Sequence, residues 1–225
     1  MNKVITEETP LSEKDCFYMM DRDKEAFTYP LHKHEAMELN FVEHCDGARR
    51  IVGDSIEVLG KYDLVLVGSG LEHTWDQYDC KSHSIHEITI QFPPDLLGEQ
   101  FLAKNQLSSL RALFHNAKRG VAFELDTIME LYSKITSITQ AQPGFYRMLK
   151  LLEILYELSL KENYHLLASR SFSNVKKTPE SVRVRQVEEY IDMHYKKEIR
   201  LKTLSDIAEM TPAAFSRYFR TKTGK

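Results

Sequence analysis

The segment His32-Lys33-His34-Glu35-Ala36-Met37-Glu38 carries two imidazoles and a carboxylate at even spacing. Along an extended strand, alternate side chains point the same way. His32, His34 and Glu38 are therefore expected to project from one face. His73, on a separate segment, can close the set. Two or three histidines with one carboxylate form a donor set suited to Fe, Mn, Ni, Cu or Zn. The same groups can instead hold a small organic molecule without metal, since barrel mouths commonly host ligands. Tyr29, Trp75 and Phe92 are the aromatic candidates for lining such a pocket.

The surrounding sequence, up to about Phe92, reads as strands. Short runs rich in β-branched and aromatic residues are separated by turn signals: Cys16–Met20, Ala26–Tyr29, Ala36–His44, Ala48–Val52, Ser55–Leu59, Asp63–Val67 and Ser84–Phe92. Gly53-Asp54 has the chemistry of a tight hairpin turn, and Pro93-Pro94 stops the last strand. Many short strands without an intervening helix point to a sandwich or barrel. With this context, HxHxxxE followed by Gly70 and His73 resembles the two motifs of the cupin fold. The resemblance implies a β-barrel with His32, His34, Glu38 and His73 as the ligand positions for a divalent metal. Tyr62 stands where that family has a Gly, Gly68 where it has a Pro, and Gly47 falls later than its spacing; these positions shape turns rather than supply ligands.

After Pro94 the period changes to that of a helix. Leu107, Leu110, Leu113 and Phe114 recur at spacings of three and four, as do Leu125, Ile128, Met129, Tyr132 and Ile135. A third helix, with Met148, Leu149, Leu151, Leu152, Ile154, Leu155 and Leu158, has an apolar face wider than one contact needs. It is expected to support dimerisation. Ser169–Thr178 is polar and aperiodic and reads as a linker.

The C-terminal region is built differently. Residues 170–225 carry a net charge of +6 and residues 1–169 a net of −9, within a whole-chain net of −3. A basic module on an acidic body suits a nucleic-acid contact. Val184, Val187, Tyr190 and Ile191 give one helix face, and Leu204, Ile207 and Ala208 a second, short helix. Thr211-Pro212 is a helix start, Thr as N-cap and Pro at the first helical position. Phe215, Tyr218 and Phe219 form the apolar face of the helix that follows. Two short helices about a turn at Glu209-Met210-Thr211 make a helix-turn-helix. The stretch Leu204 to Arg220, with Ile207-Ala208 before the turn, Phe215-Ser216-Arg217 and Phe219 after it, and Thr223-Gly224-Lys225 beyond, resembles the first helix-turn-helix of AraC-type transcriptional regulators.

That resemblance implies DNA contact through Thr211, Ala213, Ala214, Ser216, Arg217, Arg220 and Lys222. Arg217 can bond guanine edges bidentately, and Ala213 and Ala214 permit close approach. Arg220 and Lys222 are placed to meet phosphates. The family carries a second such unit, and the sequence stops at Lys225 after the first, so weak or lost DNA binding is expected of this chain alone.

The expected architecture is a multidomain α and β protein. It comprises a cupin-like sensor barrel over 1–94, a helical connector and dimerisation region over 95–169, a linker over 170–180, and a three-helix helix-turn-helix unit over 181–225. The expected function is a ligand-responsive bacterial transcriptional regulator and homodimer, with a small-molecule effector and DNA as partners, and not an enzyme. A cupin metalloenzyme, or a truncated dimerisation partner that does not bind DNA, is the alternative. The N-terminus lacks the apolar run of a secretory signal, and Cys16, Cys45 and Cys80 show no metal or disulfide spacing. Both features, with no stretch of 18 apolar residues, suit a reduced cytoplasmic location without membrane contact. No GxSxG, GxGxxG or P-loop is present.

Overall fold

The computed structural model describes residues 4–173, 187, 190–191, 199–208 and 210–223. Most of the expected linker, from Asn174, lies outside the described residues, as do Val184, Glu209, Gly224 and Lys225 and the side chains of Tyr218, Phe219, Arg220 and Lys222. The chain divides into two compact units, Met1–Ser173 and Asn174–Lys225.

The first unit contains β1 (Ile5–Thr6), β2 (Tyr18–Lys24), β3 (His32–Lys33), β4 (Met37–Glu43), β5 (Arg49–Val52), β6 (Ser55–Val58), β7 (Tyr62–Val67), β8 (His73–Asp76) and β9 (Ile85–Phe92). Then come α1 (Glu99–Leu102), α2 (Ser108–Ala117), β10 (Val121–Phe123), α3 (Leu125–Ser137), α4 (Phe145–Ser159), β11 (Tyr164–Leu166) and α5 (Arg170–Ser173). The strands form two sheets, ordered β1-β3-β8-β5-β6 and β11-β10-β7-β4-β9-β2. Neither sheet closes, so the expected barrel is instead two open sheets. Their alternating side chains explain the layering. Leu39, Phe41, Leu64, Leu66, Ile88 and Ile90 share one apolar cluster with Leu113, Leu131, Ile135, Leu151 and Leu155 of the helices. The opposite faces of the same strands contribute Val42, Val65 and Val67 to a second cluster with Val52 and Trp75 of the five-stranded sheet. Strand β4 is buried on both faces along its whole length, as a central strand between two packed layers must be.

Several expectations are corrected here. Ala26–Tyr29 is not a strand; the Phe27 N–H donates to the Gln77 side chain (3.0 Å) rather than to a ladder. The segment expected to be a purely helical connector contributes β10 and β11, which extend the six-stranded sheet beside β7. Three residues are too short a run to show alternation. Cys16 is exposed, whereas Cys45 and Cys80 are buried. Gly53 has φ of 61° in the two-residue turn between Val52 and Ser55, as Gly-Asp chemistry demands. Gly68 is Gly for a different reason: a Cβ there would collide with the Ala117 carbonyl oxygen at the end of α2. No described helix is long and apolar enough to cross a membrane.

In the second unit, Val187, Tyr190 and Ile191 are helical, followed by α6 (Leu201–Ile207) and α7 (Pro212–Thr223). Val187, Ala208 and Phe215 form its buried core, with Ile191, Leu204, Ile207 and Met210 packed around them. Thr211 caps α7: its hydroxyl accepts the Ala214 N–H (3.3 Å) and its carbonyl accepts the Phe215 N–H (2.9 Å).

Candidate metal and ligand site

His32, His34, Glu38 and His73 are all buried, and one potential ligand atom from each lies within 4.8 Å of the others. They converge by a route that strand alternation did not foresee. His32 sits on β3 of the five-stranded sheet, paired with His73 on β8. Glu38 sits on β4 of the six-stranded sheet. The chain leaves strand conformation between them, at His34. The two sheets thus bring the donors face to face, where a single strand would have carried them side by side.

Each imidazole is oriented by a backbone carbonyl. His32 Nδ1 donates to the Pro30 carbonyl (2.9 Å), His34 Nδ1 to that of Ala36 (2.9 Å), and His73 Nδ1 to that of Leu71 (2.8 Å). A carbonyl only accepts, so each neutral ring carries its proton on Nδ1 and presents a lone pair at Nε2. Such backbone anchoring fixes the tautomer and orientation of metal-binding histidines. His34 Nε2 lies 3.1 Å from Glu38 Oε2. His73 Nε2 lies 3.7 Å from Glu38 Oε1, beyond hydrogen-bond reach, and is a buried nitrogen without a partner.

Lone pairs and a carboxylate converging on one volume repel one another unless a cation lies among them. Burial presses His34 toward its neutral form, but the Glu38 carboxylate prevails and raises its pKa. Burial acts to raise Glu38, yet His34 and His73 hold it well below the usual carboxylate range. His32 is pushed down to about 4 by burial and by His73 beside it. The residues fit a divalent ion of the Fe, Mn, Ni, Cu or Zn group, held by three Nε2 atoms and the Glu38 carboxylate.

A cavity of about 100 Å³ adjoins His32 and Glu38. Tyr29 and Trp75 are in its wall. Phe92 is not: it packs on Phe114 of α2 with ring centroids 5.9 Å apart, on the helix side of the sheet. Register explains this. Gln91 pairs with Glu38 and faces the cavity with it, so Phe92, its neighbour, must face the other way. The cavity wall is more polar than the aromatic candidates implied. Glu87 accepts from Arg22 (2.9 Å), Lys24 (2.7 Å) and Asn40 (3.3 Å), and Thr89 donates to Asn40 (2.9 Å). Sequence reading missed these groups, although the alternation Glu87, Thr89, Gln91 against Ile88, Ile90, Phe92 was a signal for them. Trp75 is held by its indole N–H, which donates to Asp63 (2.7 Å), itself paired with buried Arg50.

In the second unit, Ala213, Ser216 and Arg217 are exposed on the first turns of α7, and Thr211 just before it is exposed too, whereas Phe215 is buried and Ala214 is half-buried. Arg220 and Lys222 lie on α7, their side chains outside the described residues.

No protein-family model matches the chain, and no curated protein matches it. Among solved structures, an apo variant of ToxT from Vibrio cholerae has a TM-score of 0.43 and 11% identity, over 92% of this chain and 94% of that one. Another ToxT structure has a TM-score of 0.38 and 8% identity, over 88% and 72%. Wild-type ToxT bound to an unsaturated fatty acid has a TM-score of 0.36 and 11% identity, over 92% and 74%. Likeness at this level assigns neither a fold nor an activity.

Proposed function

We propose that this chain is a ligand-responsive transcriptional regulator of the AraC type. In this reading the cupin-like unit binds a small molecule in its polar cavity, together with a divalent metal, and α7 of the second unit enters the major groove of DNA. The observation that carries the reading is the helix-turn-helix itself. Thr211 caps α7, Phe215 anchors it on Ala208, and Ala213, Ser216 and Arg217 are left exposed at its N-terminal end. Recognition helices read base edges with their N-terminal residues. For a ligand to regulate, it must bind one arrangement of the DNA-binding units better than another.

The exposed apolar stripe of α4 supports self-association. Phe145, Tyr146, Leu149, Tyr156 and Leu160 are exposed along it. An antiparallel pairing with a second copy sets Phe145 opposite Leu160 and Leu149 opposite Tyr156.

The test is selection of genomic DNA fragments by the purified chain and by Arg217→Ala, with circular dichroism as the control for folding. A single helix-turn-helix binds weakly, so enrichment of discrete sequences is expected only at the low end of the salt range, about 50 mM, and Arg217→Ala is expected to lose it. No enrichment by the unaltered chain, at any salt concentration down to 50 mM, would contradict the proposal. The buried donor set favours a second reading, a cupin metalloenzyme. Dioxygen uptake by the iron-loaded protein with a small organic substrate, abolished in His34→Ala, would favour it over the first.

A further inference from the structure

The residues around the metal centre include one donor that its motif does not contain. Glu7 follows β1, which pairs parallel with β3 in the register Ile5–His32 and Thr6–Lys33. The Glu7 N–H then donates to the Lys33 carbonyl (2.9 Å). This pairing carries the Glu7 side chain over the imidazoles. Its Oε2 lies 3.6 Å from His32 Nε2 and 3.8 Å from His34 Nε2. Its Oε1 accepts from the Tyr29 hydroxyl (3.0 Å). Gln91 Nε2 donates to both carboxylates, to Glu38 at 3.0 Å and to Glu7 at 3.4 Å. The nitrogens therefore stand between two carboxylates that one amide holds in place, too far from Glu7 to hydrogen-bond to it.

We propose that Glu7 is a fifth, displaceable ligand of the His32, His34, Glu38 and His73 centre, and that the ligand which displaces it is a small carboxylate. The proposal rests on the metal reading of those four residues. Two observations make Glu7 the ligand that yields. Its side chain is 19% exposed, against 5% or less for those of His34, Glu38 and His73. It also hangs on a two-residue edge strand, held near the site by few backbone hydrogen bonds. The chemistry of the incoming ligand follows from what Glu7 does there. A carboxylate already meets the Tyr29 hydroxyl, the Gln91 amide and the two Nε2 atoms, and a free carboxylate of similar size meets the same groups. The cavity beside it, with Arg22, Lys24 and Asn40 in its wall, receives the rest of such a molecule.

The test uses the full chain stripped of metal, with Co²⁺ and acetate as probes, read by Co²⁺ absorption and by Trp75 fluorescence. In Glu7→Gln, Co²⁺ is expected to bind at least about tenfold more weakly than in the unaltered chain, the scale of loss usual when a metal site loses a supporting group. Acetate is expected to bind the Co²⁺-loaded variant at least about tenfold more tightly, because no internal carboxylate competes. Tyr29→Phe, which frees Glu7 without removing it, should shift acetate affinity in the same direction by less. Equal Co²⁺ affinity, equal spectra and equal acetate affinity in all three proteins would overturn the role of Glu7 and leave the four-residue centre standing. No Co²⁺ bound by the unaltered chain would overturn the centre and the proposal together.

Discussion

Replacing Arg50 by Met should destabilise the first unit strongly and with a defined pH dependence. Arg50 is 3% exposed and its partner Asp63 is 4% exposed. The guanidinium bonds the carboxylates of Asp63 and Glu57. Met keeps most of the stem volume but removes the charge. Glu57, whose side chain is 36% exposed, keeps water, Ser55 and His165 beside it, whereas Asp63 stays buried with the Trp75 N–H as its remaining side-chain donor. Breaking one partner out of a buried pair costs about 3–5 kcal/mol. Burial already raises the Asp63 pKa, and Arg50 opposes that shift. Without Arg50 the pKa rises further. A carboxyl whose folded pKa lies above its unfolded value stabilises the fold at low pH, and that stabilisation is lost as pH rises through the folded pKa. The deficit of Arg50→Met should thus be smaller at pH 5 than at pH 8. Urea unfolding followed by Trp75, the one tryptophan of the chain, measures both. A deficit below about 1 kcal/mol, or one unchanged between the two pH values, would refute the reasoning. The double variant Arg50→Met, Asp63→Asn should recover much of the loss, since no uncompensated charge remains.

Other outcomes follow from the same geometry. Gly68→Ala should lower stability by about 1–3 kcal/mol or more, because its Cβ would meet the Ala117 backbone; an unchanged Tm would mean that the end of α2 does not lie against Gly68 as described. In the metal-free protein, His32 has its pKa pushed down from 6.5 to about 4, so the unfolded chain binds the extra proton first. Stability should fall as pH drops from about 6.5 toward 4, and a His32→Asn variant with the same slope over that window would contradict this. Arg217→Ala should weaken binding to a selected DNA site by about 1–3 kcal/mol if the residue reads a base, and equal weakening on every sequence would reassign it to phosphate contact.

What could be read in the sequence depended on the length of each signal. The donor set His32, His34, Glu38 and His73 was legible because residue type and spacing are local facts. The reason it converges was not, because a one-strand argument cannot see that Glu38 belongs to a second sheet. The helices over 108–117, 125–137 and 145–159 were legible as long periodic runs, and α7 through its Thr-Pro start. Strands β1, β10 and β11 span two or three residues, so they carry no period, and Glu7 was missed with β1. Phe92 was a candidate for the pocket as an aromatic residue, whereas the pairing of Glu38 with Gln91 sends it to the helix layer. Pairing register is a long-range property, and it decided which face of β9 became the cavity wall.

The most direct test is calorimetric titration of the metal-free chain with Zn²⁺, with elemental analysis of the product, alongside His34→Ala and His73→Ala. The expected result is one Zn²⁺ bound per unaltered chain, and an affinity lower by about 100-fold or more in each variant, at or beyond the upper end of what loss of even a supporting group costs. Absence of stoichiometric metal in the unaltered chain, or an affinity in either variant equal to that of the unaltered chain, would contradict the claim that these four residues form a metal centre.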